Sequence, residues 1–242
     1  MAFGGNRCYH VKNRKITNSY IKIEEAPQIV GIAKAYELMM STFSEGTMWN
    51  KLYSMDVIRK HKLCLEQKRL LGEDLYFNAQ YFLFVNKVGV IKDCDYIYYI
   101  YDGDTLCHRY DPLHMQNSRE LIASREKLRR KLGWSEERIE YGRKVELTYE
   151  AFRMCSLLFS NHSTLSFRGA VSKIKEDLLN QPELVEAILQ GSYNRDRMIR
   201  LFQKLLRKGN ACLIALTFKI LWIGKSRFGY FYTKIKPFFR GD

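Results

Sequence analysis

Hydrophobic positions in the front of the chain form short β-branched and aromatic runs. These runs predict strands over residues 3–9, 19–23, 88–91 and 95–101. Two helical patterns lie among them, because apolar residues spaced three and four apart run from Pro27 to about residue 43 and over residues 75–83. The front of the chain therefore predicts a mixture of strands and helices.

Everything after residue 111 has helical spacing. Six helices are predicted, at residues 116–132, 136–159, 167–179, 182–190, 194–208 and 211–223. The fold class is therefore an α/β front followed by a mostly α-helical C-terminal region. We divide the chain into residues 1–110, a helical region at 111–192 and a basic, aromatic, amphipathic helical tail at 193–242.

Composition excludes several protein classes. The 242 residues are 46% hydrophobic and 27% charged, which is typical of a globular protein and excludes a disordered or collagen-like chain. The six cysteines are irregularly spaced without a C-x-x-C pair, which indicates reduced thiols and argues against a zinc site. The N-terminus has no signal-peptide core, and the longest apolar stretch, 211–223, is too short to span a bilayer. These features predict a cytoplasmic protein.

Positive charge is concentrated in the tail. The whole chain has a net charge of +14, and residues 195–242 hold twelve Lys or Arg against two acidic residues, a net +10. Aromatic residues are interleaved with these cations, a composition that suits peripheral binding to an anionic membrane, here the inner face of the cell membrane. Two alternatives stay open: an apolar face packed on the body of the protein, and RNA binding through phosphate contacts and base stacking. Membrane binding is the favoured reading, and no nucleic-acid partner is expected.

The pair Glu73-Asp74 is the sharpest local candidate for chemistry. Both acids directly precede an amphipathic helix, where the helix dipole favours ionised carboxylates. A positioned, ionised carboxylate can act as a general base on a hydroxyl group. The alternative is purely structural, with Asp74 as the N-cap of the helix.

Four short elements occur in a fixed order around this pair. They are G-T-M-W-N-K-L-Y at 46–53, G-E-D-L-Y-F-N at 72–78, Y-Y-I-Y at 98–101 and T-L-C-H-R at 105–109. In this order the chain resembles the second half of bacterial family 2 glycosyltransferases, which have the GT-A fold and build surface polysaccharides. The resemblance covers residues 1–110 and implies a partial GT-A-like mixed sheet in that region.

The resemblance assigns roles to five residues around the acceptor. Asp74 matches the family's general base toward the acceptor hydroxyl, and Glu73 lines the acceptor side. Trp49, Asn50 and Lys51 match the W-N-K element that shapes the acceptor pocket, and Lys51 could offer its charge to a diphosphate.

Two further residues and two acidic motifs concern the donor side. His108 lies near the position where many GT-A enzymes place a histidine on the metal or the diphosphate, and Arg109 beside it could do similar work. A solvated loop histidine is the alternative for His108. The acidic triplets D-C-D at 93–95 and D-G-D at 102–104 follow Glu73-Asp74, whereas the family's metal motif precedes that pair. We therefore interpret both triplets as turns, and the metal ligands stay unknown.

The family's nucleotide loop and D-x-D metal motif have no counterpart in the sequence. The chain is therefore expected to be a fragment or truncated form that does not bind sugar nucleotides tightly by itself. The complete enzyme would be an inverting transferase that uses Mg or Mn, a nucleotide-sugar donor and a glycan or lipid-linked acceptor. The alternative is a non-enzymatic basic helical protein that binds a membrane surface or RNA.

Overall fold

The computed structural model describes residues 1–11, 14–19, 27–42, 44–66, 69, 72–91, 96–101, 109–161, 163–191 and 196–227. The chain divides into two compact units. Unit 1 is Met1–Asp104 with Ala123–Trp134, and unit 2 is Thr105–Ile122 with Ser135–Asp242. One long helix, α4 (His114–Lys131), contributes residues to both.

Unit 1 contains two small sheets. Its elements are β1 (Ala2–Phe3), β2 (Asn6–His10), β3 (Lys15–Ser19), β4 (Gln28–Gly31), α1 (Ile32–Ser41), β5 (Lys51–Leu52), α2 (Met55–Lys60), α3 (Glu73–Phe82), β6 (Lys87–Val90) and β7 (Tyr96–Ile100). A four-stranded sheet has the order β4-β6-β1-β5, in which β1 and β6 are parallel and the outer strands antiparallel. The second sheet, β3-β2-β7, pairs β2 parallel to β7 and antiparallel to β3.

One face of the four-stranded sheet forms the core of unit 1. Alternate strand residues point to this face, and Phe3, Val88 and Val90 are buried there against α1 and α3. The opposite face holds the row Ile29, Gly89, Ala2 and Leu52, and both ends of the row, Ile29 and Leu52, are 75% exposed. The sheet is therefore covered on one side within unit 1.

Unit 2 is helical. It holds the first part of α4, α5 (Glu136–Leu157), α6 (Phe167–Ile174), a π-helical turn (Lys175–Leu179), α7 (Pro182–Gln190), α8 (Arg197–Arg207) and α9 (Ala211–Arg227). Side chains cap four helix starts, since Ser135, Ser166, Asp196 and Asn210 accept backbone N–H bonds from the first turns of α5, α6, α8 and α9. Apolar residues of every helix meet in one core. Burial in that core raises the pKa of the Cys155 thiol.

The coarse fold class is confirmed: a small mixed sheet on the N-terminal side is followed by a mostly helical region. All six helices predicted after residue 111 are present within a few residues of their predicted bounds. The helix predicted over 75–83 is confirmed as α3, and the strands predicted over 88–91 and 95–101 are confirmed as β6 and β7.

Two predictions in residues 1–110 were wrong in detail, and a third falls mostly outside the described residues. The helix predicted from Pro27 begins at Ile32, because residues 28–31 form the edge strand β4 against β6. The strand predicted over 3–9 is divided at Gly4-Gly5 into β1 and β2, which belong to different sheets. Of the strand predicted over 19–23, only Ser19 is described, as the last residue of β3, and residues 20–26 lie outside the described part of the chain.

Candidate functional site

A loop between α1 and β5, residues 44–50, is closed by the ammonium group of Lys51. Lys51 Nζ lies 2.6 Å from the Ser44 carbonyl oxygen and 2.7 Å from that of Thr47, and it also reaches Thr47 Oγ1 and Asn50 Oδ1 at 2.9 and 3.1 Å. An ammonium group has three donors, so these four acceptors use all of them. Within this geometry Lys51 fixes the loop.

Asn50 joins the same loop to the end of β1. Its backbone is left-handed, with φ of 59°, a conformation in which Asn is enriched among non-glycine residues. Asn50 Nδ2 donates to the Gly4 carbonyl oxygen at 2.9 Å, and the Gly4 N–H returns a bond to the Asn50 carbonyl at 3.1 Å. The middle residue of W-N-K therefore anchors the loop to the sheet.

A buried amide on α3 holds the loop from the other side. Asn78 is 0% exposed, and its Nδ2 donates to the carbonyl oxygens of Glu45 and Thr47 at 3.0 and 2.9 Å. Its Oδ1 accepts a bond from the Tyr53 hydroxyl at 2.7 Å. Asn78 was not among the predicted site residues. The sequence did hold a sign of its role, because Asn78 is a polar residue among the apolar helix positions Phe77, Ala79 and Phe82.

Asp74 lies in the first turn of α3, next to Glu73. The N-cap of α3 is Gly72, with φ of 77° and no side-chain cap bond, so the alternative reading of Asp74 as N-cap was wrong. Instead, Asp74 Oδ1 accepts the N–H of Leu75 at 2.7 Å. At its other end, α3 is fixed by Lys131, whose Nζ donates to the carbonyl oxygens of Leu83 and Val85 at 2.8 Å each.

Asp74 and Lys51 are electrostatic neighbours. Burial raises the pKa of Asp74, and the adjacent Glu73 charge adds to this, while the Leu75 N–H and Lys51 oppose it. Burial lowers the pKa of Lys51 to about 8, against the attraction of Glu45 and Asp74. The site therefore holds a half-buried carboxylate whose proton affinity is above normal, beside an amine whose proton affinity is below normal.

Trp49 extends the loop into an aromatic surface. Its ring stacks on Tyr96 with centroids 4.9 Å apart and an interplanar angle of 10°, and on Tyr98 at 5.1 Å and 16°. Tyr96 and Tyr98 alternate on one face of β7 and are 39% and 42% exposed. The three rings form a platform that is open to solvent.

A cleft of about 290 Å³ adjoins the loop and the platform. It lies beyond the carboxyl ends of the parallel strands β1 and β6, the usual position of ligand sites in α/β sheets. Its lining residues are Ala2, Phe3, Gly4, Gly5, Asn50, Lys51, Leu52, Ile91 and Tyr96. Most of these lining residues are apolar, and those with polar side chains are Asn50, Lys51 and Tyr96.

None of the donor-side predictions falls on the described residues of unit 1. His108 and the acidic triplets at 93–95 and 102–104 lie outside the described residues. Arg109 is described and exposed, and it belongs to unit 2. The structure thus unites Trp49, Asn50, Lys51, Glu73 and Asp74 within unit 1.

The metal expected by resemblance finds no described ligand set. Among the residues that the structure describes, no three or more His, Cys, Asp or Glu side chains cluster in a way that could hold an ion. In the same part of the chain, no helix has the length and apolar character needed to cross a bilayer.

Comparison with known proteins gives no relative: no family model, no curated protein and no solved structure matches the chain.

Proposed function

We propose that unit 1 is the acceptor side of a glycosyltransferase of the GT-A, family 2 type, with Asp74 as its general base. The observation that carries this proposal is the environment of Asp74. Its carboxylate is half-buried at a helix start, its pKa is raised, and its charged neighbour Lys51 lines an apolar cleft at the carboxyl edge of a sheet. A positioned carboxylate can take the proton of a hydroxyl group, and a raised pKa makes it a stronger base for that step.

The reaction is an inverting displacement. Asp74 takes the proton of an acceptor hydroxyl while the hydroxyl oxygen forms a bond to the anomeric carbon of the donor sugar. The bond from that carbon to the diphosphate oxygen breaks, and the nucleoside diphosphate leaves with its electron pair. The acceptor is a glycan or a lipid-linked glycan, in keeping with the resemblance to enzymes of surface polysaccharide synthesis.

The loop residues support this reaction by position. Lys51 donates to loop carbonyls, so its proposed role is to hold the loop and to balance the Asp74 charge, in place of the diphosphate contact that the resemblance implied. The stacked platform of Trp49, Tyr96 and Tyr98 offers flat rings against which the apolar face of a sugar can lie. A divalent ion, Mg or Mn, stays an expectation of the resemblance and carries no step here.

The competing function is non-enzymatic. In that case the motif residues only stabilise the loop at residues 44–50. The contacts of Asn50, Lys51 and Asn78 suit both functions, because they are structural in either case. The two functions make different demands on Asp74, since a residue that only stabilises the loop does not need a carboxylate with a raised pKa.

The test joins the chain to a nucleotide-sugar-binding segment of the same family and assays sugar transfer to glycan and lipid-linked acceptors with Mn or Mg. Asp74→Asn should lower transfer by about 10²–10⁴-fold, the usual contribution of a general base. Glu73→Gln should be milder, and Glu37→Gln, an exposed acid on α1, is the matched control. If Asp74→Asn keeps near-normal turnover in an active fusion, or if no acceptor is glycosylated, the proposal is wrong.

A further inference from the structure

Helix α8 has two chemically opposite faces. Ile199, Phe202, Leu205 and Leu206 are buried in the core of unit 2. The opposite face is exposed and carries Arg197, Arg200, Lys204, Arg207 and Lys208. At 100° per residue these five cations fall within an arc of about 100°. A rigid surface helix therefore presents a continuous row of positive charge.

Two aromatic rings of the tail do not share this surface. Phe202 and Phe218 are 1% and 4% exposed, and they pack edge to face on each other and on Phe152, with centroids 5.1–5.8 Å apart. The sequence suggested that such rings would lie at headgroup depth in a membrane. For these two rings that expectation was wrong, because packing in the core uses them.

Helix α9 supplies an exposed aliphatic ridge instead. Leu216, Ile220 and Ile223 are 48%, 59% and 40% exposed, and their spacing places them on one side of the helix. The exposed Lys219 lies among them. Helix α9 follows α8 after residues 208–210, and the buried faces of both helices contribute to the same core of unit 2.

We propose that the cationic face of α8 and the aliphatic ridge of α9 form one surface, and that this surface docks unit 2 on an anionic lipid bilayer. Lys and Arg meet the anionic headgroups, and aliphatic side chains enter the boundary of the acyl layer. A nucleic acid would match the cations through its phosphates but offers no apolar layer for three aliphatic side chains. Exposed Glu183 and Glu186 on the neighbouring α7 reduce the local charge without reversing it. This inference is independent of the glycosyltransferase proposal.

The test is flotation of the full chain with vesicles of phosphatidylcholine alone or mixed with phosphatidylglycerol. Each cation near an anionic surface strengthens binding about fivefold. The variant R200Q/K204Q/R207Q/K208Q should therefore bind mixed vesicles at least about 100-fold more weakly, and raising salt should release the parent protein. The matched control K34Q/R59Q/K60Q/K127Q removes four exposed cations of unit 1 and should bind within about tenfold of the parent.

A second experiment distinguishes lipid binding from nucleic-acid binding. L216S/I220S should weaken binding to the mixed vesicles by about tenfold while leaving binding to single-stranded RNA unchanged. Both residues are half-exposed, so the fold should tolerate the change, and urea unfolding of each variant checks this. Equal binding to neutral and anionic vesicles would overturn the proposal. So would tight RNA binding that depends on the four α8 cations without any vesicle binding.

Discussion

The Tyr53 hydroxyl donates a 2.7 Å hydrogen bond to Oδ1 of Asn78 in the interior of unit 1. Burial raises the pKa of Tyr53, so its phenol stays a donor throughout the physiological range. The other end of the Asn78 amide donates to the carbonyls of Glu45 and Thr47. One amide thus ties the loop that carries W-N-K to the helix that begins with Glu73-Asp74.

Replacing this amide should be costly. Asn78→Leu leaves the Tyr53 hydroxyl and two loop carbonyls without their partner, and each buried unsatisfied group costs about 1–3 kcal/mol. We expect a loss of about 3 kcal/mol in the free energy of unfolding, measured with urea. Asn86→Ala, at an exposed asparagine just before β6, is the control and should change stability by less than about 0.5 kcal/mol. Equal effects of the two substitutions would contradict the tethering role.

The helices after residue 111 were predictable because the sequence patterns that specify them are local. Apolar spacing locates the helices, and caps such as Ser135, Ser166 and Asp196 lie where the patterns begin. The front was less predictable because β4 depends on a partner distant in sequence. Residues 28–31 are apolar enough to continue the pattern of α1, and pairing with β6 makes them a strand.

The site was predictable in its residue types but not in their partners. Asp74 and Lys51 were chosen by motif, and the structure brings them together although 22 residues separate them. The part that the ammonium of Lys51 plays inside its own loop could not be predicted, because its acceptors are mainly backbone carbonyls. Every residue has a backbone carbonyl, so the sequence does not show which carbonyls accept these bonds.

The lowered pKa of Lys51 predicts a pH dependence of stability. Its pKa is about 8 in the folded state against 10.5 for an ordinary lysine. Between these values the unfolded chain holds a proton that the folded chain has released, so stability rises with pH. Relative to Lys51→Met, the parent should therefore gain up to about 1.4 kcal/mol per pH unit from pH 8 to 10. Urea unfolding at several pH values measures this, with Lys34→Met correcting for the loss of one exposed charge. A difference that stays flat across this window would contradict the assignment.

The aromatic platform predicts a measurable coupling. Stacked rings contribute about 0.5–1.5 kcal/mol beyond their buried area. A double-mutant cycle of Trp49→Ala with Tyr98→Ala should give a coupling energy in that range. Tyr101 stacks on Tyr99, with centroids 6.4 Å apart, so Trp49→Ala with Tyr101→Ala is the control cycle and should give a value near zero. Similar values from both cycles would mean that Trp49 does not stack as the structure shows.

The ionised side chain of Asp74 should lower the stability of the folded protein. A raised pKa means that the folded state holds this proton more tightly than the unfolded chain does. The favourable contribution of the group is therefore complete below the unfolded pKa and is lost as pH rises through the folded value. At pH 7 the ionised carboxylate is a net penalty, and asparagine, which is neutral at every pH, removes it.

Asp74→Asn should accordingly raise the free energy of unfolding at pH 7, and the gain should vanish near pH 3, where Asp74 is protonated in both states. Asp56→Asn is the matched control, since Asp56 is an exposed acid in the first turn of α2. There the helix dipole favours the carboxylate, so its neutralisation should lower stability by about 0.3–1 kcal/mol. The two substitutions should therefore change the free energy of unfolding in opposite directions. That result would distinguish Asp74, placed for proton transfer, from Asp56, placed for stability, as expected where activity and stability compete. If Asp74→Asn instead destabilises the protein as Asp56→Asn does, the carboxylate serves the helix, and the general-base assignment loses its physical support.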